Sequence, residues 1–100
     1  MIHEIHQLKT LPPFFDDVVA LRKPFEVRKN DRGFTAGNIL ILREWDGKNY
    51  TGRHVCKRVT YMLGGGAFGV EEGYCVMGLG HTEDVFDGNY ESDGGGEAKP

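Results

Sequence analysis

Short stretches in which hydrophobic and polar positions alternate, or in which hydrophobic positions run together, predict a protein built mainly of strands. Residues 39–45 are almost continuously apolar, which indicates a central strand with little solvent on either face. Residues 46–49, Asp-Gly-Lys-Asn, are typical of a hairpin turn. Five stretches in all fit strands: residues 3–9, 25–29, 39–45, about 50–62 and 74–79.

One helix is predicted after the first strand. Pro12 and Pro13 suit a helix's first turn, where a missing backbone N–H costs no hydrogen bond. The apolar residues that follow fall on one helical face, and we expect this helix to plug one end of a barrel: Phe14, Phe15, Val18, Val19 and Leu21. A single helix at the end of a sheet of short strands indicates an α+β, mainly β fold, a small and partly closed β-barrel formed by residues 1–80.

Positive charge is concentrated around the second predicted strand. Residues 21–34 hold five of the twelve Lys and Arg residues of the chain. Within the strand a period of two places Glu26 and Arg28 on one face, where a carboxylate and a guanidinium can pair. Lys23 and Lys29 add positive potential that could attract an anionic ligand. The simpler interpretation is that these charges only form the solvated face of a strand.

The stretch from Arg22 to Arg32, Arg-Lys-Pro-Phe-Glu-Val-Arg-Lys-Asn-Asp-Arg, resembles the signature Gly-x-Lys-x-x-Glu-x-Arg of the ASCH superfamily. Leu21 stands where that signature has its first Gly. Further stretches resemble a branch of small bacterial and phage ASCH-like proteins, so that the resemblance covers roughly residues 3 to 79: His6–Lys9, Gly37–Asp46, Tyr50–Arg53 and Gly69–Met77. The resemblance implies a PUA-like β-barrel, and many PUA domains bind RNA.

The first function to consider is therefore a module that binds RNA, or a nucleotide or nucleoside, in a basic cleft between the helix and the second strand. The residues expected to contact the ligand and its phosphates are Lys23, Glu26, Arg28, Lys29 and Arg32. Three aromatic residues are candidates for stacking on a base, although a small barrel usually needs such side chains in its core: Phe34, Trp45 and Tyr50.

A second function is enzymatic, because the resemblance includes compact ASCH amidohydrolases that act on N4-acetylcytidine. Lys23 matches their catalytic Lys, and the positive potential of Arg22 and Arg28 would depress its pKa. The Thr of those enzymes is not matched, because Glu26 occupies its position. Glu26 could take over proton transfer, and a later acid could come from residues 71–72, Glu-Glu.

A third function is a phage-type protein-interaction domain, because relatives of the branch that this chain resembles occur in phage genomes and an acidic tail suits such a role. Residues 1–80 hold eleven Lys and Arg against nine Asp and Glu, whereas residues 81–100 hold one Lys against six acids. This acidic, Gly-rich tail has too few apolar residues to offset its ordering entropy, so we predict that it is disordered. It could also fold back over the basic cleft and compete with nucleic acid.

Other chemistry is not favoured. We expect no cofactor and no metal, because the scattered His and Cys residues lack the spacing of a metal site. Cys56 and Cys75 are expected to be free thiols, as is usual in a reducing compartment. Residues 64–69, Gly-Gly-Gly-Ala-Phe-Gly, are interpreted as a flexible connector rather than a phosphate loop. Without an apolar run of about 18 residues or a leader, we expect a cytoplasmic monomer that does not contact a membrane.

Overall fold

The computed structural model describes residues 4–82, and this part of the chain contains five strands and one helix. The predicted disorder of the acidic tail concerns residues that, from 83 onward, lie outside the described part. No helix within residues 4–82 is long and apolar enough to span a membrane. In chain order the elements are β1 (Ile5–Thr10), α1 (Pro12–Val19), β2 (Phe25–Lys29), β3 (Ile39–Trp45), β4 (Tyr50–Gly64) and β5 (Tyr74–Gly80).

The strands occupy the stretches that the hydrophobic pattern predicts. The bounds of β2 and β3 are confirmed, and β4 and β5 extend only two residues and one residue further than expected. Strand β1, predicted at residues 3–9, spans Ile5–Thr10. The hairpin turn between β3 and β4 is also confirmed. The Oδ1 atom of Asp46 accepts hydrogen bonds from the backbone N–H groups of Lys48 and Asn49, both at 2.8 Å. A side chain that satisfies two turn amides fixes the hairpin locally.

The five strands form one curled sheet in the order β1-β3-β4-β5-β2. Only the β1–β3 pairing is parallel. The fifteen-residue strand β4 pairs with β3 along its first half and with β5 along its second half, and Arg58 takes part in both registers. A strand shared in this way, with a register shift between Val59 and Tyr61, lets the sheet curl into a half-barrel. The edges of that half-barrel are β1 and β2.

The core lies inside this curl. Strand β3 is buried on both faces from Ile39 to Glu44, as its nearly continuous apolar sequence predicts, and the charged residues Arg43 and Glu44 are buried with it. The buried cluster draws one or more residues from almost every element, together with an aromatic ring from the β2–β3 connection: Leu8, Val18, Phe34, Leu40, Leu42, Val59, Cys75 and Met77. Burial of such side chains is the main favourable contribution to folding.

Helix α1 packs against β3 with a narrower apolar face than predicted. Phe15 and Val18 are buried, whereas Phe14 and Val19 are about half exposed. The expectation that all of them share one buried face is wrong, because an eight-residue helix crossing a strand buries only residues three apart. Leu21 lies beyond the helix with a φ of 64°, in the left-handed conformation that glycine usually adopts there.

The glycine-rich segment between β4 and β5, interpreted from the sequence as a flexible connector, forms a tight turn. The N–H of Gly66 donates to the carbonyl of Val70 at 2.8 Å, and the N–H of Val70 donates to that of Ala67 at 3.0 Å. Phe68 occupies the tip with a φ of 55° and is 88% exposed. Backbone hydrogen bonds of this kind give the segment a defined shape.

Candidate functional site

Strand β2 turns its polar face inward. Glu26 is only 4% exposed and Arg28 is half-buried, while the apolar residues Phe25 and Val27 are 41% and 50% exposed. Alternation along the strand places the two pairs on opposite faces, as the sequence predicts. The orientation is the reverse of an ordinary edge strand, which buries its apolar side chains. A buried carboxylate at an edge of the sheet requires partners, and it has two.

Glu26 is held between two cations. Its Oε1 accepts a hydrogen bond from Lys23 Nζ at 3.0 Å, and its Oε2 accepts one from Arg28 Nε at 2.6 Å. Both cations are themselves largely covered, with side chains 18% and 26% exposed. Ion pairs that are short and partly shielded from solvent are stronger than surface pairs. The three groups therefore form a fixed cation–carboxylate–cation arrangement, which we call the ion triad.

The ion triad also joins the two edges of the half-barrel. From β2, Arg28 Nη2 reaches across to β1, where it donates to the carbonyl of Lys9 at 2.7 Å and to Thr10 Oγ1 at 3.3 Å. Just after β2, Arg32 Nη1 donates to the carbonyl of Gln7 at 2.8 Å. An exposed sheet edge leaves carbonyl groups without strand partners, and cationic side chains satisfy them here.

A cavity of about 380 Å³ opens between these edges beside helix α1. Its volume is within the range of about 300–1,000 Å³ that is typical of small-molecule sites. Three cations, one carboxylate, one hydroxyl and an apolar wall surround it: Lys9, Lys23, Arg28, Glu26, Thr10, Leu11, Phe14 and Val27. We call it the seam cavity. A convergence of few polar groups with an apolar wall is characteristic of a binding site.

The structure brings only part of the predicted ligand-binding set to the seam cavity. Lys23, Glu26 and Arg28 line it. Lys29 points to the opposite face of β2 by strand alternation. Arg32 is engaged with Gln7 on the edge of β1 and does not line the cavity.

The three aromatic candidates for base stacking lie elsewhere. Phe34 is 3% exposed and packs in the core, where its ring contacts His6 at a centroid distance of 4.8 Å. Trp45 and Tyr50 pack edge to face at 5.1 Å near the β3–β4 turn. Lys9, which lines the cavity, connects it to Trp45, because Lys9 Nζ lies 4.0 Å from the Trp45 ring centroid. None of the three rings is among the residues that line the seam cavity.

Lys9, Thr10 and Phe14 line the cavity but were not singled out in the sequence. Arg28 contacts Thr10 and Lys9, which lie 18 and 19 residues earlier in the chain. No local sequence pattern reveals a contact over such a separation. Phe14 was assigned to the buried helical face. Its ring lies 5.9 Å from Lys23 Nζ, which suits a cation–π contact at the rim.

Three other residues that the enzymatic hypothesis invoked do not line the seam cavity. Arg22 pairs instead with Asp17 on the surface, with Nη2 and Nε each 2.9 Å from Oδ1. Glu71 and Glu72 belong to the turn region between β4 and β5. Lys23, by contrast, is held by acceptors, since Nζ also donates to the carbonyl of Phe25 at 2.9 Å.

A second buried carboxylate fixes helix α1 to the sheet. Glu44 accepts hydrogen bonds from Arg53 Nε and Nη2, both at 2.9 Å, and from Thr51 Oγ1 at 2.6 Å. Arg53 Nη2 also donates to Asp16 of α1 at 2.7 Å. The hydrogen bonds from Arg53, then those from Thr51, lower the pKa of Glu44 to about 2. The network orients α1, and α1 supplies one wall of the seam cavity.

The remaining reactive groups do not add to this site. Cys56 and Cys75 are reduced thiols rather than a disulfide, as predicted, and burial raises the pKa of the Cys75 thiol. Within residues 4–82 no group of three or more His, Cys, Asp or Glu side chains is placed to hold a metal ion. The chemistry available at the seam cavity is therefore that of ammonium, guanidinium, carboxylate and hydroxyl groups.

Comparison with known proteins agrees with the extent of the folded part. The chain is 42% identical over 60 residues to an "Uncharacterized 12.9 kDa protein in GpA 3'region" of Escherichia phage P2. That match covers 60% of this chain and 55% of the relative, so the chain spans about half of the relative's length. Residues 5–79 match the family model described as "Domain of unknown function (DUF3850)". These residues run from the first residue of β1 to Leu79 near the end of β5, and the chain belongs to the DUF3850 family.

Proposed function

We propose that the protein binds RNA by holding one nucleotide in the seam cavity. The observation that carries the proposal is the convergence of Lys23, Glu26 and Arg28 on one concave, solvent-reachable hollow. Had these side chains spread over a convex surface, there would be no site. The cavity has an excess of positive charge, which suits a ligand that carries a phosphate.

The walls of the cavity match the parts of a nucleotide. Leu11 and Phe14 supply an apolar surface against which a base can lie. Glu26 supplies an acceptor for a base N–H, and Lys9 and Lys23 supply donors for oxygen atoms. An unstacked base from a single strand could enter such a hollow, whereas a paired base could not.

The proposal includes membership of the wider ASCH superfamily and a PUA-like origin of the half-barrel. Two observations support it. The signature-like residues Lys23, Glu26 and Arg28 line the cavity together, and the sheet curls into a half-barrel with one helix beside it. Many PUA domains bind RNA, which supports the proposal by analogy of fold.

Fluorescence anisotropy with a short labelled single-stranded RNA tests the proposal. We expect Lys23→Ala to weaken binding and to flatten the slope of log affinity against log salt by about one unit. Lys48→Ala is the matched control, because it removes the same charge from the β3–β4 turn. Equal effects of the two substitutions, or no binding at low salt, would refute the use of this cavity.

Amide hydrolysis is a second candidate, and Thr10 favours it. The sequence offered no hydroxyl in the signature, but β1 brings Thr10 Oγ1 into the cavity that holds Lys23 and Glu26. A hydroxyl, an ammonium and a carboxylate could serve as nucleophile, electrostatic stabiliser and base. Incubation with N4-acetylcytidine, followed by chromatography, tests this. Turnover that Thr10→Val abolishes would support it, and absence of turnover by the native protein would reject it.

A further inference from the structure

The ion triad presents hydrogen-bonding groups in a definite order. Lys23 contacts one oxygen of Glu26 and Arg28 contacts the other, so the carboxylate lies between two donors. A carboxylate offers about four lone-pair sites, a lysine three N–H donors and an arginine five. The triad's order is therefore donor, acceptor, donor.

Each member retains capacity for a ligand. Within residues 4–82, Glu26 accepts one hydrogen bond at each oxygen from the triad, which leaves a second lone pair on both. Lys23 Nζ has two protein acceptors, so its third N–H is available. Arg28 uses Nε and Nη2, and its Nη1 donates to no acceptor among the described residues. All three side chains line the seam cavity.

The four RNA bases present different patterns on their Watson–Crick edges. Uracil shows acceptor, donor, acceptor, through O4, N3–H and O2. Cytosine shows donor, acceptor, acceptor, and guanine shows acceptor, donor, donor. Adenine shows one donor beside one acceptor. Only the uracil edge places a single donor between two acceptors, which is the complement of the triad.

We propose that Lys23, Glu26 and Arg28 select uracil, with Glu26 accepting the N3–H and the two cations donating to the flanking carbonyl oxygens. The inference rests on the proposed function and specifies its ligand. Cytosine in the same pose would place its N3 lone pair against the Glu26 carboxylate. Guanine would turn an amino group toward a cation. Buried polar groups that lose their partners discriminate strongly between otherwise similar ligands.

Calorimetric titration of the full chain with the four nucleoside 5′-monophosphates tests the selection. We expect uridine monophosphate to bind about 10- to 100-fold more tightly than the other three, the factor of a charge-assisted hydrogen bond. The matched control ligand is 3-methyluridine monophosphate, which keeps both carbonyls, the sugar and the phosphate but lacks the N3–H. Its affinity should fall by a similar factor.

The outcomes separate the two proposals. If no nucleotide and no RNA binds, the proposed function fails and the selection of uracil fails with it. If nucleotides bind without preference for uracil, or if the N3-methyl group has no effect, only the selection of uracil is overturned. None of these comparisons requires a protein variant, so a folding defect cannot obscure the result.

A variant then identifies the group responsible. Glu26→Gln replaces one acceptor oxygen by a donor of nearly the same size, and should narrow the ratio of uridine to cytidine affinity about tenfold or more. Circular dichroism and a thermal melt establish that the variant is folded. An unchanged ratio in a folded variant would show that Glu26 does not read the base.

Discussion

The contacts of Arg28 predict that this residue stabilises the fold as well as lining the cavity. Arg28→Met keeps the length and apolar stem of the side chain but removes the guanidinium. Three interactions disappear together: the 2.6 Å pair with Glu26 and the donations to the Lys9 carbonyl and to Thr10 on β1. The substitution therefore removes both a partner of a buried carboxylate and a connection between the two sheet edges.

The expected cost follows from the type of each interaction. A hydrogen bond between charged groups contributes about 1.5–3 kcal/mol, and a bond to a neutral acceptor about 0.5–1.5 kcal/mol. Water can replace part of this, because the Arg28 side chain is 26% exposed. Lys23 still neutralises Glu26, so the cost should stay below that of an unpaired buried charge, about 3–5 kcal/mol. We expect a loss of about 2–4 kcal/mol in the free energy of unfolding.

Urea denaturation followed by circular dichroism measures this loss, provided that the slope with denaturant stays constant. Arg22→Met is the matched control, because Arg22 pairs with Asp17 at the surface and is 65% exposed. Removing such a pair should cost about 0–1 kcal/mol. If Arg28→Met costs no more than Arg22→Met, the connection between the sheet edges is not energetically significant and the reasoning fails.

Three further substitutions test other parts of the structure. Phe68→Asn should raise the free energy of unfolding by about 0.5–1 kcal/mol in urea titrations, because the exposed Phe68 has a φ of 55°, which asparagine tolerates better than phenylalanine. A lower free energy of unfolding in the variant would contradict backbone strain at this position. Gly65→Ala should lower the free energy of unfolding by about 1–3 kcal/mol in the same assay, since a Cβ at this position would collide with the carbonyl of Glu71. An unchanged urea midpoint would contradict this close approach. The folded pKa of Glu44 is about 2, below its ordinary value of 4.5, so its contribution to stability is complete above pH 4.5 and is lost as the pH falls toward 2. The wild-type urea midpoint should therefore fall between pH 5 and about 2, and Glu44→Gln should make this fall smaller. If the midpoint falls equally in the variant, the loss of stability in acid does not come from Glu44.

Some of the cations near the seam cavity also hold the sheet edges together, so their substitution affects folding as well as ligand binding. Lys23, Arg28 and Arg32 donate to backbone carbonyls on the edges of the sheet, so their removal changes the seam as well as its charge. Lys9 lines the cavity, and its Nζ lies over the Trp45 ring. Lys9→Ala should therefore weaken RNA binding with less effect on folding than Arg28→Met, and a comparison of the two separates loss of ligand contacts from loss of structure.

The sequence alone determined the local features of the protein. Alternation and apolar runs located β2, β3 and the hairpin turn, because a strand's period and a turn's side-chain hydrogen bonds act over a few residues. The same alternation placed Glu26 and Arg28 on one face. It could not tell whether that face points into the half-barrel or out of it, since a period of two is symmetric between the two faces.

The tertiary structure decided that orientation and everything that depends on it. The curl of the sheet brings β1 opposite β2, so Thr10 joins a cavity that Lys23, Glu26 and Arg28 line from the other edge. It also encloses Phe34 in the core and turns Phe14 to the cavity rim. Contacts between residues distant in sequence depend on how the whole sheet closes, and no local pattern of polarity encodes that closure.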